Sequence, residues 1–125
     1  MIFLGFGSNL GDRINNIYKG YELVSTIGKI LKKSSVYESK ALKLPDDKEQ
    51  QNDYLNSVIS FSTDIDPMSL LKKLKEIEEK VGTRKKKKWA PRMLDIDIIL
   101  FNNLVINEEN LIIPHPEIMK RSFVL

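Results

Sequence analysis

A chain of 125 residues, 42% hydrophobic and 30% charged, has the length and balance of one globular domain over residues 1–125, with a real core but little room for a second. The absence of cysteine excludes disulfides, thiol catalysis and cysteine-bound zinc, and the single His115 argues against a multi-histidine metal site. The net charge of +3 is too modest to imply nucleic acid by itself, and much of the excess is gathered in residues 84–88.

Met1-Ile2-Phe3-Leu4 has no basic stretch ahead of it, so no signal peptide is expected. No apolar run approaches the roughly 18 residues of a membrane span, and a cytoplasmic protein is expected. Ile2 to Phe6 is short and apolar on both faces, as a central strand is. It runs into Gly7-Ser8-Asn9-Leu10-Gly11-Asp12. Glycines between a strand and a helix are shared with dinucleotide sites, but the spacing is one residue off and the expected acid is missing. A plain strand-to-helix turn fits better. A helix is expected from Arg13 to Ile27, with Ile14, Ile17, Tyr21 and Val24 as its apolar stripe, Gly20 at the edge of that stripe and Gly28 as its end.

Lys29 to Glu38 reads as a second strand. Ser39 to Asp53 is polar and long for a connector, which marks a functional or mobile loop. Tyr54 to Thr63 is the next strand, with Leu55, Ile59 and Phe61 on one face and Tyr54, Asn56 and Val58 on the other. An aromatic ring and a carboxamide two residues apart can grip a flat heterocycle. Asp66-Pro67 opens a helix that runs to about Val81 and ends at Gly82. Its apolar arc is Leu70, Leu71, Leu74, Ile77 and Val81, and Glu78 falls inside that arc. A glutamate there needs a partner, as a paired structural carboxylate or as a site residue.

The basic run Arg84 to Lys88 leads through Trp89-Ala90-Pro91-Arg92 into the strand Leu94 to Phe101. Asp95 and Asp97 interrupt that apolar strand. Residues i and i+2 share a face, so the two carboxylates stand about 6.5–7 Å apart along the backbone, able to share one divalent ion or clamp two. An unpaired charge in a buried strand is costly, so this pair with a basic loop ahead of it points to metal-assisted phosphoryl chemistry. Ile96, Ile98 and Leu100 are expected to hold the strand in the core. Asn102-Asn103 is a turn, and short strands follow at Leu104 to Ile106 and Leu111 to Ile113. The order of elements predicts a ferredoxin-like α+β sandwich, with a mainly antiparallel sheet and two long helices on one face. The opposite face would carry Tyr54, Asn56, Asp95 and Asp97 if their strands are neighbours.

Taken together these segments resemble the 6-hydroxymethyl-7,8-dihydropterin pyrophosphokinases of folate biosynthesis. The resemblance rests on Trp89, Pro91, Arg92, Leu94 and Asp95 to Ile98, on Gly7 to Gly11, on Tyr54-Leu55-Asn56, on Pro114-His115-Pro116, and on Arg121 followed by Phe123. It covers nearly the whole chain. It implies transfer of the β,γ-pyrophosphoryl group of ATP, the co-substrate, to the pterin hydroxymethyl oxygen, with release of AMP. It also implies two Mg²⁺ ions on Asp95 and Asp97, and catalysis by these two residues with Arg92. ATP contacts are implied for Glu78, Arg84, Lys85, Lys88, Trp89, Arg92, Ile98, His115 and Arg121. Pterin contacts are implied for Ser39, Leu42, Tyr54, Asn56, Trp89 and Phe123. Expected partners are these small molecules alone, with no nucleic acid and no membrane, on a monomer.

The sequence departs from the family pattern in the basic loop. Thr83 stands where an arginine is usual, lysines replace most basic positions before Trp89, and Ala90 stands where glycine is common. A lysine is a point charge and not a planar fork. Two other readings compete: an RNA-binding module of the same fold class, which the lysine run favours but two acids on the binding face oppose, and a relative that binds pterin or nucleotide without turnover.

Overall fold

The computed structural model describes residues 1–39, 53–82, 93–107 and 111–114. Strand β1 (Ile2–Ser8) leads into helix α1 (Arg13–Val24); β2 (Lys29–Lys33), β3 (Tyr37–Ser39) and β4 (Tyr54–Ser62) follow; then come α2 (Pro67–Val81), β5 (Asp95–Phe101), β6 (Ile106–Asn107) and β7 (Ile112–Ile113). The main sheet has the order β2-β4-β1-β5, β3 also pairs with β4, and every pairing is antiparallel. β6 and β7 form a separate small ribbon.

β2 and β3 lie along the same side of β4 and amount to one broken edge strand. At the break Ser34 keeps the pairing through its side chain: its hydroxyl accepts from the Val58 N–H at 2.8 Å while its own N–H donates to the Val58 carbonyl, also at 2.8 Å. Each helix then links two strands separated in the sheet by a third, α1 across β4 and α2 across β1. This is the β-α-β-β-α-β arrangement of the ferredoxin-like fold, as the order of sequence signals predicts.

One sheet face and both helices enclose the core. Ile2, Leu4 and Phe6 of β1, Leu55, Ile59 and Phe61 of β4, and Ile96, Ile98 and Phe101 of β5 meet Ile17, Tyr21 and Val24 of α1 and Leu70, Leu74, Ile77 and Val81 of α2. Gly20 is buried where a Cβ would stand 3.0 Å from both Leu94 and Phe6, so the helix approaches the sheet closely at this point. α2 is bounded as its sequence predicts: Asp66 accepts from the Ser69 N–H at 3.1 Å, and Gly82 closes the helix at φ 115°.

Four expectations need correction. α1 ends at Val24, not Ile27, because Ser25 and Thr26 turn their hydroxyls back on the Tyr21 and Leu23 carbonyls. Gly28 is needed for space and not as a helix cap: a Cβ there would meet the Phe61 ring at 2.4 Å and the Ser62 carbonyl at 2.6 Å. Ile14 does not belong to the buried stripe; it is 48% exposed, and Asn16 takes a buried place on the helix, donating to the Leu10 carbonyl at 2.9 Å. In β5 the register against β1 shifts between Phe3 and Leu4. The irregularity changes which residues face inward, so Phe101 enters the core in place of Leu100.

Candidate active site

The face turned away from the helices is organised by β1. In an antiparallel sheet residues directly opposite each other point to the same side. Gly7 is opposite Asn56 of β4 and opposite Asp95 of β5; Gly5 is opposite Val58 and Asp97. The carboxamide strand and the carboxylate strand therefore flank a central strand without side chains at these two positions. Asn56 and Asp95 lie two strand spacings apart, about 10 Å, and the floor between them is glycine backbone.

One wall of this floor is Tyr54. Its Cδ1 lies 3.4 Å from where a Cβ on Gly7 would be, so the ring leans over bare backbone. Asn56 beside it is 7% exposed and held in a defined orientation. Its Nδ2 donates to the Ser39 hydroxyl at 2.7 Å, with the Tyr37 and Tyr54 carbonyls 3.5 Å and 3.4 Å away. Two of those three groups can only accept, which fixes the amide nitrogen on the β3 side. The amide oxygen accordingly turns towards Gly7, 3.5 Å from the position of a Cβ there.

On the other wall Asp95 and Asp97 are partly buried and share a face with Ile99. Ile99 packs across Gly5, where a Cβ would come within 2.9 Å of its Cδ1. No group of three or more acidic or histidine side chains forms a cage among the described residues. A pair of carboxylates on an open face does fit Mg²⁺, which keeps several waters and takes one or two carboxylates plus substrate phosphates.

Glu78 belongs to the opposite side of the sheet. It is 3% exposed, and its Oε2 accepts from the Ile96 N–H at 2.8 Å while the Lys75 ammonium stands 3.3 Å away. Burial pushes its carboxyl above the usual range, against the opposing pull of Lys75 and of the Ile96 N–H. The structure therefore shows Glu78 as a paired carboxylate, bonded to the Ile96 amide and to Lys75. Ile98 also turns inward: its side chain is 2% exposed in the helix-side core.

The structure thus brings Ser39, Tyr54, Asn56, Asp95 and Asp97 to one face and puts Glu78 and the Ile98 side chain behind it. Leu42, Arg84, Lys85, Lys88, Trp89, Arg92, His115, Arg121 and Phe123 lie outside the described residues. The roots of the basic loop do meet, with Met93 Sδ 2.8 Å from where a Cβ on Gly82 would be. Arg13, which the sequence did not single out, donates to the Asp53 carbonyl at 2.7 Å and lies 3.9 Å from Glu38, tying together the flanks of the segment 40–52. The glycine floor was also missed, although Gly5 and Gly7 at i and i+2 in an apolar strand signal one bare face.

An aromatic ring, an oriented carboxamide and a carboxylate pair around a bare floor suit an enzyme that transfers a group to a flat ring. The model of the 7,8-dihydro-6-hydroxymethylpterin-pyrophosphokinase family matches residues 3–125. The chain is 43% identical over 122 residues to the 2-amino-4-hydroxy-6-hydroxymethyldihydropteridine pyrophosphokinase of Aquifex aeolicus, covering 98% of this chain and 74% of that protein. It is 35% identical over 125 residues to the Bacillus subtilis protein of the same description, covering 98% and 72%. It is 41% identical over 125 residues to the folic acid synthesis protein fol1 of Pneumocystis carinii, of which it spans 16%. The chain belongs to the 7,8-dihydro-6-hydroxymethylpterin-pyrophosphokinase family. ATP is the co-substrate of this family, and its reaction is pyrophosphoryl transfer in folate biosynthesis.

Proposed function

We propose that the chain transfers the pyrophosphoryl group of ATP to 6-hydroxymethyl-7,8-dihydropterin on the open sheet face, as a single pyrophosphokinase domain spanning residues 1–125. The observation that carries this reading is the register around Gly7, with Asn56 opposite on one side and Asp95 on the other. A pterin is a flat bicycle with an amide edge at one end and the hydroxymethyl group at the other. The floor of about 10 Å between the carboxamide and the first carboxylate matches that length. Tyr54 offers its ring to one face of the heterocycle, and Phe123 is the partner for the other. Asn56, oriented by Ser39, reads the amide edge. Leu42 and Trp89 complete the pterin pocket.

Asp95 and Asp97 would then hold two Mg²⁺ ions at the hydroxymethyl end. When bound, these ions neutralise the triphosphate and favour ionisation of the attacking alcohol. The chain's own part is to fix the alcohol in line with the β-phosphorus and to bind the departing AMP. Arg92, with a planar fork for two phosphate oxygens, is the principal phosphate contact. Arg84, Lys85, Lys88, Trp89, His115 and Arg121 complete the nucleotide site. Ile98 contributes through its backbone: the Ile96 N–H points to the outer edge of β5, and alternate residues of a strand point their polar backbone groups the same way. We place the enzyme in the cytoplasm as a monomer acting on small molecules. No helix among the described residues is long and apolar enough to cross a membrane.

The test is AMP release from ATP and Mg²⁺ that depends on 6-hydroxymethyl-7,8-dihydropterin. Asp95→Asn and Asp97→Asn are each expected to abolish turnover while leaving the circular dichroism spectrum and melting temperature near those of the parent. Pterin-independent AMP release, or turnover retained in either variant, would overturn the assignment.

A further inference from the structure

We propose that Glu78 is a positioning residue for the carboxylate pair, holding β5 in place from its outer edge through the amide of Ile96. The proposal rests on the reading of Asp95 and Asp97 as the Mg²⁺ ligands. Among the described residues β5 ends the strand order of the main sheet, with β1 as its paired neighbour. The Ile96 N–H points away from β1 and is taken instead by Glu78 Oε2 at 2.8 Å. Ile96 is the residue between the two aspartates, and its side chain, fully buried at 0% exposed, is packed in the core beneath them. One bond from α2 therefore sets the height and tilt of the backbone segment that carries both carboxylates. Across β1 the two aspartates are opposite Gly7 and Gly5, so on that side the backbone of β5 meets backbone. Lys75, at 3.3 Å, holds the Glu78 carboxylate in turn. Groups that orient ligand-bearing residues in this way govern metal affinity without touching the metal.

Glu78→Leu fills the buried place without an acceptor, and Glu78→Gln keeps an acceptor oxygen. Two readouts are needed: hydrogen exchange of the Ile96 amide in the ligand-free protein, and the Mg²⁺ concentration at which a non-hydrolysable ATP analogue binds, followed by calorimetry beside the Mg²⁺ dependence of turnover. In E78L the Ile96 amide is expected to exchange faster and the Mg²⁺ requirement to rise by about 10- to 100-fold, with the KM for pterin little changed. E78Q is expected to return both readouts close to those of the parent. Equal Mg²⁺ requirements in E78L and E78Q overturn the proposal, whatever the exchange rate. The parent protein supplies an arm independent of any variant's folding: its Ile96 amide is expected to be protected although it lies on the sheet edge, and free exchange there also overturns the proposal. Turnover by the parent that is indifferent to Mg²⁺ removes the metal role of the aspartates, and so separates failure of that reading from failure of the Glu78 contact.

Discussion

Gly7 has Asn56 on one side and Asp95 on the other and contributes no side-chain atom to the space between them. That space is the proposed seat of the pterin, and a single methyl group tests it. A Cβ at Gly7 would meet Tyr54 Cδ1 at 3.4 Å and Asn56 Oδ1 at 3.5 Å, contacts a folded strand accommodates. Glycine inside a strand costs about 0.5–1 kcal/mol relative to alanine. Gly7→Ala is therefore expected to melt no lower than the parent, and slightly higher, while pterin affinity measured by calorimetry falls. Lower stability with unchanged pterin binding would mean that the floor is structural and not part of the pocket. The same residues show what a sequence reveals at this scale. The Asp-x-Asp pair was legible because two acids have no other reason to interrupt Leu94 to Phe101. The orientation of Asn56 was not, because it depends on a hydroxyl 17 residues away, brought near by strand pairing.

α2 and β5 are coupled through one buried carboxylate. Burial raises the Glu78 carboxyl above its ordinary value. Between the ordinary value and the raised one the folded chain retains a proton that the unfolded chain has released, so stability falls as pH rises through that window. Below the window both states are protonated and the difference disappears. Glu78→Gln removes this titration. Melting temperature followed from about pH 4 upward is expected to have a shallower fall with pH in Glu78→Gln than in the parent. Parallel profiles would show that Glu78 does not titrate differently on folding. α2 itself was fully legible, from the Asp66-Pro67 start to the Gly82 stop, because its signals are local. The end of α1 was not. Its last turn competes with the Ser25 and Thr26 hydroxyls, and Gly28 is fixed by Phe61 and Ser62, which come from a strand more than 30 residues further on. The shift in β5 that exchanges Leu100 for Phe101 depends likewise on pairing with β1.

At the scale of the whole molecule, β1 and β4 are the strands flanked on both sides among the described residues, by β5 and β4 and by β1 and the broken pair β2 and β3. Native-state hydrogen exchange is expected to be slowest in β1 and β4, faster in β2 and β3, and intermediate in β5 at Ile96; an equal rate in all strands would mean that the sheet opens only as a unit. The ferredoxin-like order was readable because two amphipathic helices between apolar strands leave few arrangements that bury every stripe. Which strands neighbour each other decided whether Asn56 and Asp95 would flank the same strand, and no local pattern carries that information. The edge position of β5 has a further consequence, for the life of the protein as one copy among many. The edge of an apolar strand is a place where a second molecule can add its own strand. Here Glu78 takes the Ile96 amide and carboxylates stand on both neighbours of that residue, so two copies placed edge to edge at this point would bring like charges together. The acids proposed to bind Mg²⁺ are thus expected to oppose pairing between copies as well, and variants that make positions 95 and 97 apolar are expected to associate more readily, as light scattering would show.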